Sequence, residues 1–597
     1  MGESRGHSYA RRSVLAFVTG LLVVGGAWAG VGLRPTAHDA GAHLPVASAA
    51  ATAAAQAVAA SDASGPEPPD LSALTTQLPA GQFLVGAGEE SLAPDPTKVQ
   101  WDSDKTPCIK EDQSIVDPGV STLASAMAEK QTLAGWPKSP NCIYLGGYGL
   151  GPERPATGVD PYAGVKVRSI AISNGKDVIV WQVLDMVGFF ARYRSDLCAT
   201  GCGMLDIREA IANGTKDKVP VANVVVAATH THGGADGYGA WGGLPDWYRL
   251  QIRDQAIKSA YDAMRAMKPA SISVGAVDAR SFDSERRDTY FSAADYGAVW
   301  LQARELPETS GADAPVIATL VNYAAHPTML GGSNTLMHSD WAGTFMKELG
   351  DLLGGKGLFI QGSLGNVSPS APRGATTDLT GDGKVDGYDN PVRMAKDLAT
   401  FIGDDVARGG YTLASNTLVA KNVTISHPAT NPALVPGGLA NLLDREFLPN
   451  TPGADGPSAY TWDKDGLGNS PPGRGCVTAS PVSVKTDVSG YRIGELTVLT
   501  GPGELFGTMT EVAKSKARDG ASHVDGNDRV LPAGQTMVFA QAQDTLGYII
   551  QHFEVDAAGG LTSNANMGEY EEEFMVDRCF GDHVLQTQLD LLGALRS

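Results

Sequence analysis

Six short runs of nearly uninterrupted apolar residues limit what this chain can fold into. They are Val165–Ser173, Asp177–Asp185 (DVIVWQVLD), Asn223–Thr229 (NVVVAAT), Val316–Ala324 (VIATLVNYA), Gly357–Gln361 (GLFIQ) and Gly494–Thr500 (GELTVLT). Apart from the Lys166 and Arg168 positions of the first, they lack the regular apolar–polar alternation of a strand with one wet face, which suggests cover on both faces. Helical patterns at Met204–Asn213, Pro245–Met267, Trp341–Leu353 and Asn390–Ala407 lie between them and supply such covers. The alternation predicts an α/β fold: one large catalytic domain with mixed or parallel sheets flanked by helices.

Composition narrows the function. Charged residues are 19% and hydrophobic residues 43%, which excludes a disordered chain. A formal charge of −20, with no local basic patch, argues against a nucleic-acid partner. Arg11 and Arg12 precede an uncharged apolar run from Val14 to Val31, and Ala27-Trp28-Ala29 offers a small-x-small cleavage site. Residues 1–36 therefore read as an export signal resembling the twin-arginine type, with an uncleaved membrane anchor as the alternative. Residues 37–80, rich in Ala and Pro, read as a flexible linker, and 81–597 as the catalytic domain. Six cysteines suit a secreted protein. Proximity in sequence suggests Cys108–Cys142 and Cys198–Cys202, leaving Cys476 with Cys579. The Pro-, Gly- and Asn-rich region Ala429–Thr478 reads as a long irregular excursion lining a site.

The chemistry gathers where apolar strands end. The run at 224–228 closes on Thr229-His230-Thr231-His232, a spacing that puts two imidazoles on one face of an extended segment. The run at 316–325 closes on His326-Pro327, where proline ends the strand. Pro502-Gly503-Glu504 places a carboxylate after the strand at 494–500. Two imidazoles and a carboxylate form a zinc set that leaves a position open for water. Ser368, in Gly365-Asn366-Val367-Ser368-Pro369, is held by a Gly turn and a Pro, but this is not a GxSxG elbow.

In this order, THTHGG (229–234), NYAAHPT (322–328), HSDWAG (338–343), GNVSP (365–369), PGE (502–504), GYI (547–549) and Tyr570-Glu571 resemble the neutral ceramidases. The resemblance runs from about Leu84 to the C-terminus. It implies a secreted zinc hydrolase that splits the amide of N-acylsphingosine into sphingosine and fatty acid through zinc-activated water. Carried over, His230, His326, Glu504 and Tyr548 are the implied zinc ligands. His232 and Tyr570 are the implied stabilisers of the oxyanion, and Ser368 the implied catalytic serine. Arg286 is the implied arginine, with Arg287 as an alternative. Ser368 as nucleophile stays open beside zinc-activated water. The chain departs from the pattern at Asn366, Ser370 and Gly233, and no C-terminal Ig-like domain is expected. Another acylated lipid, or a small amide or ester, is therefore an alternative substrate. Peripheral membrane contact is compatible with such a lipid, and a non-catalytic surface binding protein is the remaining reading. No oligomeric state is predicted.

One motif lies outside the resemblance. Asp378, Thr380, Asp382, Lys384, Asp386 and Asp389 fall at calcium-loop positions, with Gly383 at the sharp turn. The expectation is a structural calcium ion in an insertion at 378–389, with an acidic solvated turn as the alternative.

Overall fold

The structure, a computed structural model, describes residues 65–110, 139–148, 152–287, 294–306, 314–370, 375–431, 443–449, 480–521, 536–557 and 571–596. The apolar run at 14–31, Tyr570 and Cys476 lie outside these residues. In chain order the elements that place the site begin with β1 (Phe83–Ser91), β2 (Lys166–Ser173), β3 (Val178–Leu184), α1 (Met204–Gly214), β4 (Val224–Ala228), α2 (Asp246–Arg265) and β5 (Lys268–Asp278). Then come β6 (Asp283–Glu285), β7 (Gly297–Glu305), β8 (Val316–Tyr323), α3 (Asp340–Leu353), β9 (Lys356–Gln361), β10 (Val367–Pro369) and α4 (Asp389–Arg408). The last group is β11 (Leu418–Pro428), β12 (Val482–Ile493), β13 (Leu496–Thr500), β14 (Glu504–Leu505), α5 (Gly507–Ala521), β15 (Thr536–Phe539), β16 (Tyr548–Ile549) and α6 (Phe580–Arg596).

The large sheet runs β9-β8-β7-β5-β1-β2-β3-β4. Its centre is antiparallel, and only the two outer pairs, β8/β9 and β3/β4, are parallel. Each outer pair is joined through a helix, α3 or α1, because parallel neighbours need a crossover. A smaller sheet runs β11-β12-β13-β15, and its one parallel pair, β13/β15, has α5 in the connection. The six apolar runs are strands β2, β3, β4, β8, β9 and β13, within a residue or two of the expected bounds, and the fold class is mixed α/β.

Burial on both faces explains their composition. Val167, Val178, Val180, Leu184, Val224 and Val226 pack with Ile207 and Ile211 of α1 and Ile252, Ala256 and Ala260 of α2. The alternate residues Ile170, Ile172, Ile179, Trp181, Val183 and Val225 pack with Tyr491, Val498 and Phe539 of the small sheet. The far face of the small sheet is covered by Val584, Leu585 and Leu591 of α6. Gly86 and Gly88 sit where a Cβ would collide with the Ala263 and Ser259 carbonyls, so α2 lies directly on β1.

The two edges of the large sheet approach each other, and a segment after β15 fills the gap. Ala540 N donates to Gln361 O at 2.9 Å, while Ala228 N donates to Gln541 O at 2.9 Å and Gln543 N to Val226 O at 2.8 Å. Gln361 Nε2 then bridges Thr229 O (2.8 Å) and Ala325 O (2.9 Å), tying the ends of β4 and β8 together.

Cys108–Cys142 and Cys198–Cys202 are disulfides, as proximity in sequence suggests. Cys579 is also disulfide-bonded. Leu71 is buried and Asn416 Nδ2 donates to Leu78 O at 2.7 Å, so the stretch before β1 lies against the body. Among the described residues no helix is long and apolar enough to cross a membrane.

Trp181 joins the two sheets, with its ring edge-on to Tyr491 at 5.9 Å and to Phe539 at 5.2 Å. Truncation leaves a cavity that neither sheet can close. Trp181→Ala is expected to lower unfolding stability by about 3–5 kcal/mol, read from urea denaturation.

Candidate metal centre

Three strands of parallel pairs deliver their C-terminal ends to one place. His230 follows β4, His326 follows β8, and Glu504 follows β13. Each is buried, and one ligand atom from each lies within 4.8 Å of the others. His326 Nε2 is 3.0 Å from Glu504 Oε2, and His230 Nε2 is 3.5 Å from the same oxygen. His230 sits at φ +64, a backbone pose that side chains adopt rarely and that is held here by the surrounding bonds.

The other face of each ring fixes its tautomer. His230 Nδ1 faces Val187 O at 2.6 Å, and His326 Nδ1 faces Val367 O at 2.8 Å. A carbonyl is only an acceptor, so both protons sit on Nδ1 and both Nε2 lone pairs turn inward. Two bare nitrogens and a carboxylate oxygen then converge with no proton between them, an arrangement that an electropositive occupant stabilises. The residues fit a divalent cation with nitrogen and oxygen ligands, and the carbonyl bonds behind the imidazoles are the usual support of such ligands.

Electrostatics agree. Burial pulls the His230 pKa down to about 4, keeping the ring neutral. Burial takes His232 well below its usual value, reinforced by the neighbouring imidazoles and the Arg154 guanidinium. For Glu504, burial pushes the pKa up, but the surrounding groups, the Arg286 guanidinium among them, outweigh it and hold the carboxyl below its usual range.

His232 joins the group: its Nε2 is 3.4 Å from His230 Nε2, while Nδ1 faces Gly147 O at 2.8 Å. Tyr148 stacks on its ring at 4.9 Å and Trp241 lies at 6.1 Å, giving an aromatic wall. Tyr548 lies beside Glu504 across the parallel β14/β16 pair, with its ring 6.5 Å from His326. Ser368, half-buried in β10, is one residue from the Val367 carbonyl that holds His326. Among the described residues no imidazole or carboxylate hydrogen-bonds its hydroxyl. Arg286 pairs with Glu571 at 3.2 Å and also donates to Gly365 O. Arg287 lies over the Phe506 ring at 5.0 Å. Tyr570 lies outside the described residues.

The HSDWAG segment braces both histidine loops. His338 O accepts from Thr231 Oγ1 at 2.9 Å, Trp341 Nε1 donates to His326 O at 3.1 Å, and Asp340 accepts from Met329 N and Leu330 N. Sequence patterns did not single out Gln541, whose Nε2 is placed 3.2 Å from His230 Nδ1, or Arg154, which donates to His232 O at 2.6 Å. Arg154 sits in a segment without a strand-end signal, and Gln541 follows β15, a strand that the apolar runs did not include. Of the expected excursion, residues 429–431 and 443–449 are described. Asp444 N donates to Tyr238 O at 2.9 Å, packing the second piece on the loop that follows His232.

The acidic loop at 378–389 gives no comparable convergence. Asp378 accepts from Gly381 N and Gly383 N, Asp382 from Lys384 N, and Asp389 from Leu379 N, Thr380 N and Asp386 N. The carboxylates thus fold the loop onto its own backbone. Among the described residues the one group of three or more metal-ligating side chains is His230, His326 and Glu504. The calcium expectation gains no support from this geometry at Asp378, Thr380, Asp382, Lys384 or Asp389.

No protein-family model and no curated protein sequence matches the chain. Among solved structures, it is similar to neutral ceramidase from Pseudomonas aeruginosa, with a TM-score of 0.56 at 15% identity, covering 87% of this chain and 75% of the other. A ceramidase complexed with C2 aligns with a TM-score of 0.54 at 16% identity, covering 86% and 75%. The likeness is one of fold.

The His230 shift has a sign that can be checked on metal-free protein. Between pH 6.5 and about 4 the unfolded chain takes up a proton that the folded imidazole refuses, so stability is fully present above that window and falls as acid is added. Denaturation midpoints of chelator-stripped protein should drop between pH 7 and 4.5, and should drop less for His230→Gln. Equal slopes would exclude His230 as a source.

Proposed function

We propose that this chain is a zinc-dependent amidohydrolase that splits the amide of N-acylsphingosine into sphingosine and fatty acid. The observation that carries the reading is the convergence of His230 Nε2, His326 Nε2 and Glu504, with both Nδ1 protons committed to carbonyls. The shared fold with ceramidases supports the substrate class. In this reading Tyr548 is the fourth ligand. Zinc bound there would polarise the substrate carbonyl and activate water.

The chain's own groups have distinct tasks. His230, His326 and Glu504 hold the ion and leave a position for water. His232 is assigned to the carbonyl oxygen as charge develops there; with its Nδ1 proton committed to Gly147 O, its Nε2 would have to take up a proton, as from the attacking water, before it could donate. Tyr570 is assigned the same task, and Arg286, tied to Glu571, is assigned to the field around it. Ser368 positions substrate or relays a proton. Among the described residues no imidazole or carboxylate hydrogen-bonds its hydroxyl, which favours water over Ser368 as nucleophile. The protein is taken to act outside the cytoplasm on a lipid or N-acyl substrate.

Metal analysis and product identification test the reading together. One zinc per chain, loss of activity in chelator, and loss of zinc in His326→Ala are the expected results. Release of sphingosine from N-acylsphingosine identifies the substrate. Activity confined to other acylated lipids would move the chain to that class. Zinc-free protein with full activity would end the metal reading, and an acyl adduct trapped on Ser368 would reverse the choice of nucleophile.

A further inference from the structure

The strand that holds His326 is itself clamped by an amide and a carboxylate. Asn366 Nδ2 donates to Glu285 Oε2, and Asn366 Oδ1 accepts from Gly507 N at 3.1 Å. The partners fix the orientation of the amide, since a carboxylate requires a donor and an N–H requires an acceptor. The Asn366 backbone oxygen also accepts from Arg286 N at 2.9 Å. Glu285 is equally committed, because its Oε1 accepts from Arg286 N and Arg287 N, each at 3.0 Å. Asn366 is fully buried and Glu285 half-buried.

These bonds join three pieces that carry the site. Glu285 ends β6, the partner of β10. Asn366 precedes Val367, whose carbonyl accepts from both His326 N (3.2 Å) and His326 Nδ1 (2.8 Å). Gly507 opens α5, two residues after the short strand that bears Glu504, and Gly365 N donates to Leu505 O at 2.9 Å. The motif resemblance leads one to expect a carboxylate at 366. Here the amide stands at 366 and the carboxylate stands opposite it at 285.

We infer that Glu285 and Asn366 are an exchangeable positioning pair that sets the spacing between His326 and Glu504, and through it the metal affinity of the site. The inference rests on the metal reading above. Asn366→Asp would oppose two carboxylates, one buried and one half-buried, and Glu285→Gln would oppose two amide N–H groups. The double variant restores one donor facing one acceptor. The amide oxygen introduced at position 285 still accepts from the two backbone N–H groups, and the carboxylate introduced at position 366 still accepts from Gly507 N.

The test is zinc affinity of full-length protein, measured by competition with a chromogenic chelator, with thermal melting alongside. All three variants are near-isosteric, so packing volume is unchanged. Each single variant is expected to lose about 10–100-fold in zinc affinity, the usual effect of disturbing a ligand's outer partners, and the double variant to recover most of it. The double variant decides even if a single variant fails to fold. Affinity in the double variant no better than in a foldable single, or wild-type affinity in both singles, overturns the pair. Wild-type protein that binds no zinc fails the metal reading instead, a separate result.

Discussion

Two backbone carbonyls decide what the site is. Val187 O and Val367 O each take the Nδ1 proton of a histidine, and every other property of the cluster follows. Had either ring carried its proton on Nε2, it would donate to Glu504 and the three groups would form an ordinary buried hydrogen-bonded set. With both protons turned outward, the inner faces are all lone pairs. Such a set is poorly stable without a cation and strongly complementary to one, which is the property expected of a prepared metal site rather than of a packed core.

Bringing those rings together is a problem of topology. β4 and β8 lie near opposite ends of the large sheet, with β3, β2, β1, β5 and β7 between them in the hydrogen-bonded order. They meet because the sheet curls and the segment Ala540–Gln543 enters between its edges. That segment continues from β15 of the small sheet, so the sheet whose strand β13 leads to Glu504 also closes the sheet whose strands lead to both histidines. Gln541 and Gln543 accept φ values of +52 and +72 to make the passage. Strain of this kind persists where the surroundings over-determine it.

The sequence exposed those parts of the fold whose burial is complete. β3 and β4 read as strands because a single polar residue, Gln182, interrupts their apolar runs, and the residues at their ends stood out for that reason. β1, β5 and β11 did not read as strands. β1 holds Gly86 and Gly88, which look like breaks until α2 is seen lying against them. β5 starts Lys268-Pro269 at an exposed end, and β11 alternates half-buried with exposed residues. Within the antiparallel centre of the large sheet β2 was legible and β1 and β5 were not, while the parallel margins were plain. The same division holds at the site. His230, His326 and Glu504 are marked by strand ends, whereas Glu285, Arg154 and Gln541 act through partners 81, 78 and 311 residues away in the chain, and no local pattern encodes that.

Charge around the centre runs against the charge of the chain. The protein carries a formal −20, yet the groups around the metal-ligand set include Arg154, Arg286 and Arg287. Arg286 is offset by Glu571. Arg154 is buried and gives its N–H groups to the carbonyls of Gly331, Asn334 and His232, with the Tyr148 ring at 5.1 Å, and among the described residues no carboxylate pairs with it. Burial pulls its pKa down, and the nearby charges of Tyr148, Glu153 and Asp340 oppose that pull. A guanidinium in that position raises the cost of protonating His232, just as Arg286 does for His230 and Glu504. The cations act with burial and against the carbonyls behind the rings, whose hydrogen bonds make the imidazoles more basic. Burial and the cations keep the inward-facing atoms deprotonated, and an acidic protein retains a local field in which lone pairs stay available to a cation.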